Sequence, residues 1–163
     1  MAKAKLNDKG IDELISSISK VSNNRSLQEI AGTAVYAMAD KVADAIKQNL
    51  NGLMTEEEEP WKGHRSQYLS QRQKDGLVQS FGIAPMRAEG DGWNVRLGFD
   101  GYNAVKTEMY PSGQPNIMIA RAVESGSLYM RKQPFFRPAV NAARAAAKKA
   151  GEDAVMAELE KQL

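Results

Sequence analysis

The chain has 163 residues, 26% of them charged, and a formal net charge of +2. That length carries one core and one domain, 1–163, and the charge balance is too small over the whole chain to mark a nucleic-acid or membrane binder. No cysteine is present, which excludes a disulfide framework and thiolate chemistry.

The opening residues carry two lysines with no apolar run behind them, so no secretory signal is expected. Ile11, Leu14, Ile15, Ile18 and Val21 recur at helical spacing. They predict a short helix over 8–20, within an N-terminal helical extension of about 1–25. Ser26 and Glu29 then form a capping-box pattern. Behind them Leu27, Ile30, Ala34, Val35, Met38, Val42, Ile46 and Leu50 make one stripe. This predicts a long helix over 26–49, ended by Asn51-Gly52. Residues 51–69, with "TEEEEPWKGHRSQ", read as an exposed loop. Ser70–Ser80 reads as a short helix sending Leu77, Val78 and Phe81 to the core, with Gly76 its weak point and Gly82 its C-terminal cap.

From Ile83 the period changes from 3.6 to 2. "WNVRLGF" alternates Trp93, Val95, Leu97 and Phe99 against Asn94, Arg96 and Gly98. It pairs with "IAPMRA" as a hairpin over about 83–99, in which Pro85 marks an edge or a bulge. "NIMIARAVESG" predicts two or three helical turns stopped by Gly126. From Pro138 onward Val140, Ala143, Ala147, Ala150, Ala154 and Leu159 predict a long closing helix, which Gly151 weakens by up to about 1 kcal/mol relative to alanine. The fold class expected is α+β: a small antiparallel sheet packed with a long helix from the N-terminal half and a long C-terminal helix. No run approaches the roughly 18–20 apolar residues of a membrane span.

Candidate chemistry is sparse. His64 is the single histidine, and Glu56 to Glu59 form a run typical of a solvated loop. No nucleophile elbow, phosphate loop or dinucleotide fingerprint is present. Glu89, Asp91 and Asp100 flank turns, where acids serve local geometry. The reading is therefore non-enzymatic, with no catalytic, cofactor-binding or metal-ligating set. Between Arg131 and Lys149 the cations Arg131, Lys132, Arg137, Arg144, Lys148 and Lys149 occur with no acid. A basic helix face of this kind, residues 131–149, suits a small nucleic-acid-binding protein. The simpler reading is a charged surface that keeps an alanine-rich helix in solution, its basic half and the acidic half that follows suiting an interaction surface of opposite sign.

"SGSLYMRKQPFFRPAV", residues 125–140, sets Phe135 and Phe136 between Pro134 and Pro138. Adjacent side chains near a helix start cannot point the same way. One ring is expected in the core and the other outward, where an aromatic beside arginines has the composition of a binding hot spot.

Three pieces of the chain carry a resemblance. "KDGLVQS" contributes Gly76, Leu77 and Ser80; "VESGS" contributes Glu124, Gly126 and Ser127; "KQPFFRPAV" contributes Gln133, Pro134, Phe135, Arg137, Pro138 and Ala139. In this order they resemble the tail-component or head-tail joining family of small tailed-phage proteins, named for gene product ten of a lambdoid phage. The resemblance covers roughly the C-terminal 90 residues and departs at Ser125, where many members carry an aromatic. It implies a structural virion protein, found in the host cytoplasm during assembly and in the virion neck or tail afterwards. It further implies several copies in a ring beside the head-tail connector, tail tube or tail terminator, with no cofactor and with DNA contact not required. Glu124, Gly126, Arg131, Gln133, Pro134, Phe135, Phe136, Arg137 and Pro138 then become the expected protein-interaction residues.

Overall fold

The computed structural model describes residues 24–57, 67–90 and 92–162. In chain order these form α1 (Asn24–Asn51), β1 (Thr55–Glu56), β2 (Leu69–Ser70), α2 (Gln71–Ser80), β3 (Phe81–Ile83) and β4 (Arg87–Glu89). They continue as β5 (Gly92–Asn94), β6 (Leu97–Phe99), α3 (Asn116–Ser125) and α4 (Phe136–Gln162). The class is α+β, with α1 packed along α4 and small two-stranded pairings between them. The helix expected over 8–20, and His64, lie outside the described residues.

The two long helices run antiparallel. Near one end the Asn49 side-chain amide donates to the Phe135 carbonyl at 3.1 Å. Toward the other, Gly151 lies against Met38 and Ala34. Ala34, Ala39 and Ala43 of α1 and Ala139, Ala143 and Ala147 of α4 are buried. These small side chains let the axes approach, and Gly151 is the extreme case: a Cβ there would lie 2.7 Å from Met38 Cγ. The glycine expected to weaken α4 is thus a point of close helix contact. The apolar stripe of α1 holds in part: Ile30, Ala34, Ile46 and Leu50 are buried as expected. Leu27 and Met38 are exposed, while Ala39 and Ala43 take the inward positions beside Ile46 and Leu50.

Several boundaries differ from the sequence reading. Ser26 lies within α1 rather than capping it, because helix already begins at Asn24. The Lys74 ammonium closes the other end of α1, donating to the carbonyls of Asn51 and Leu53 at 2.7 and 3.1 Å. Residues 51–69 are not wholly exposed. Leu53 and Leu69 are buried, and β1 pairs in parallel with β2 through Thr55 and Leu69. The Glu56 carboxylate adds to this closure by accepting from the backbone N–H groups of Gln67 and Tyr68.

α2 begins at a capping box, Ser70 and Gln73 each bonding the other's backbone N–H. It ends at Phe81, whose N–H donates to the Leu77 carbonyl. Gly82 is therefore a strand residue rather than the cap, since α2 runs straight into β3. The expected hairpin is present but divided: β3 pairs with β6, and β4 with β5, both antiparallel. Pro85 sits in the break between β3 and β4, where only Ala84 continues the ladder, donating to the Arg96 carbonyl at 2.7 Å.

The core centres on Ile46, Leu50, Leu69, Leu77, Ile119, Val123 and Phe135. Four phenylalanines form a chain of ring contacts through it. Phe81 meets Phe99 at 5.2 Å, Phe99 meets Phe135 at 6.0 Å and Phe135 meets Phe136 at 6.3 Å, the last two nearly edge to face. Residues 100–115 have little regular structure and are held by buried amides instead. Asn103 donates to the Gln73 carbonyl and to Asn116 Oδ1, and accepts from the Val105 N–H. Asn116 in turn donates to the Asp100 carbonyl at 2.9 Å.

Candidate functional site: the arm between α3 and α4

α3 stops at Gly126, whose φ of 78° suits glycine and whose missing Cβ makes room for Lys132. Beyond it the chain folds into a tight turn about Ser127. The Ser127 N–H donates to the Met130 carbonyl at 2.9 Å, and the Ser127 hydroxyl accepts from the N–H groups of Tyr129 and Met130. Leu128 and Tyr129 form the tip of this turn. Leu128 is 87% exposed and Tyr129 55%.

The rest of the arm is tied down. Arg131 donates from its backbone to the Gln67 carbonyl and from its guanidinium to the Tyr68 hydroxyl, at 2.8 and 3.1 Å. The Gln133 N–H donates to the Val123 carbonyl. Its side-chain amide accepts from the Met54 N–H and donates to the Met54 carbonyl, at 2.9 and 3.2 Å. A single side chain thus imitates one rung of a sheet.

The arm ends at α4 in an unusual cap. Glu124, on the last turn of α3, accepts from the N–H groups of Phe135, Phe136 and Arg137 at 2.8, 2.8 and 3.0 Å. These are donors that a helix start leaves unpaired, and Pro138 contributes none. Partial burial pushes the Glu124 carboxyl up, but the three backbone donors and the nearby Arg137 charge outweigh it, holding the group below its ordinary value. α4 therefore starts at Phe136, two residues before the proline expected to open it.

The expected interaction residues divide accordingly. Phe135 is a correction: at 1% exposure its ring belongs to the subunit's own core and has no surface to offer a partner. Phe136 is half-buried against that core. Glu124, Gly126 and Gln133 shape the arm from within, while Arg131, Pro134, Arg137 and Pro138 remain exposed. Leu77 is in the core, Gly76 lies under Asn103, and Ser80 donates to the Leu77 carbonyl and accepts from the Asp100 N–H. The residues that sequence reasoning passed over are Leu128 and Tyr129. Their signal was an apolar pair set between Gly126 and a basic run, overshadowed by the phenylalanines.

On the basic stretch, Lys148 and Lys149 pair with Glu152 and Asp153 one turn on, at 3.7 and 2.7 Å. Among the described residues no three His, Cys, Asp or Glu side chains gather as a metal set, and no helix is long and apolar enough to cross a membrane. Compared with known protein families, with curated proteins and with solved structures, this α+β chain has no match in any of the three.

Proposed function

We propose that the chain is a non-catalytic structural protein of a tailed-phage virion, acting by protein–protein assembly at the head-tail junction or proximal tail. The observation that carries this reading is the Ser127 turn. It holds Leu128 and Tyr129 out to solvent on a backbone already fixed by its own hydrogen bonds. A pre-ordered apolar and aromatic tip docks with little further loss of freedom, which suits a contact between large virion parts. The resemblance supports the same reading, because its three pieces serve one framework: Glu124 caps the helix that follows Phe135, and Gly76 underlies the amide network joining α2 to α3. The partners are the head-tail connector, tail tube or tail terminator.

The test replaces Leu128 by Asp and Tyr129 by Ser together, in a phage whose own copy has been deleted. The expected result is a folded subunit and an accumulation of separate heads and tails by electron microscopy. Normal joining and full infectivity would overturn the proposal.

A further inference from the structure

A second apolar surface lies on the other side of the Glu124 cap. It is a groove of about 210 Å³ lined by Leu97, Phe99, Ile117 and Phe136 together with Arg121, Arg137 and Glu124, whose carboxylate is taken up by the three N–H groups it caps. Ile117 is 41% exposed there. The far end of α4 has the opposite character. Met156 is 58% exposed, and Glu152 and Glu160 stand four residues to either side of it on the same helix face, Glu152 in a solvent-exposed pair with Lys148 at 3.7 Å. Apolar residues beside two arginines complement an apolar side chain flanked by carboxylates in character and charge.

The two surfaces cannot satisfy each other within one subunit. Both are built on α4, and Phe136 and Met156 are separated along it by about 30 Å at 1.5 Å per residue. A straight helix cannot bring its own end into its own start. Resting on the assembly role proposed above, and naming its partner, we propose that the Met156 end of α4 in one copy docks into the Ile117–Phe136 groove of a second copy. Each subunit then offers a different patch to each of two neighbours. This is a head-to-tail contact, which closes into a ring or runs on as a filament according to the rotation it imposes.

The absence of cysteine makes the test clean. Full-length Ile117→Cys and Met156→Cys proteins are purified separately, mixed in equal amounts, oxidised and resolved without reductant. The mixture is expected to give a covalent dimer well above the level of either variant alone, and a chain carrying both substitutions a ladder of higher species. Adding Arg121→Glu to the Ile117→Cys partner should cut the mixed dimer by about tenfold or more, and adding Glu152→Lys and Glu160→Lys to the other partner should restore it. A mixture that cross-links no better than its components would overturn the inference. So would Ile117→Cys cross-linking chiefly to itself, which would mark a symmetric groove-to-groove contact. The Leu128 and Tyr129 phage experiment reads out separately. Failed cross-linking with unjoined heads and tails removes only the head-to-tail contact; successful cross-linking with normal joining overturns the head-tail role and leaves the contact between copies standing.

Discussion

Glu124 Oε2 lies 2.8 Å from the backbone nitrogen of Phe135, and the two residues are eleven apart in the chain. The carboxylate at the end of one helix thereby holds the start of the next. Replacing Glu124 by Gln leaves one acceptor oxygen for three donors and removes the charge that favours the positive end of α4. The expected loss at neutral pH is about 0.5–2 kcal/mol, the range for a helix cap, measured by urea denaturation. The sign of its pH dependence follows from the depressed carboxyl. The contribution is complete above the ordinary value of 4.5 and is lost as the pH falls through the lower folded value. The gap between wild type and Glu124→Gln should therefore close in acid below pH 4.5; a gap that holds constant there would contradict the capping role.

Phe135 and Phe136 should separate in a stability experiment. Phe135→Ala removes a fully buried ring and is expected to cost about 3–5 kcal/mol. Phe136→Ala removes a half-buried one and should cost clearly less, as judged by the midpoints of urea unfolding. Equal losses would mean that the outer ring is packed as tightly as the inner.

Gly76→Ala offers a test in which local and tertiary terms oppose each other. In an isolated helix the change favours folding by about 1 kcal/mol. Here the new Cβ would lie 2.6 Å from Asn103 Nδ2, and that amide is already committed to Gln73 and Asn116. The net effect should be a loss of about 1–3 kcal/mol. Combining it with Asn103→Ala should give less than the sum of the two single losses, the mark of a shared contact.

Gln133→Ala removes both hydrogen bonds to the Met54 backbone. A loss of about 1–2 kcal/mol is expected, together with faster hydrogen exchange at the Met54 amide. Unchanged exchange at Met54 would show that the backbone there does not depend on the glutamine.

The long helices were legible because a 3.6-residue stripe of apolar side chains survives any local detail. The helix over Ser70–Ser80 was read too, although its capping box, Ser70 with Gln73, was not, even though both partners lie within one turn. What else escaped reading depends on residues that meet only after folding. Gly151 looks like a flaw until Met38 is placed beside it. Glu124 cannot be recognised as a cap, since cap patterns span three residues and this one spans eleven. The alternation from Trp93 to Phe99 announced a strand, yet its division reflects the break at Pro85 on the partner. Of the two adjacent rings, the sequence said they must diverge but not which turns inward. That was decided by where α4 begins, and hence by Glu124. The Leu128–Tyr129 tip was passed over because apolar residues in a short run announce burial, and only a turn closed by Ser127 turns them to solvent.

The pairing of α1 with α4 has a consequence for how this polypeptide is made. α1 leaves the ribosome before α4, presenting Ala39, Ala43, Ile46 and Leu50 with nothing yet to cover them on the α4 side. The wall that completes the core is translated only after α2, the hairpin and α3. The nascent chain therefore carries an open seam while the segment from α1 to α4 is translated, and a translation pause before Phe136 would prolong its exposure to chaperones and to misassociation.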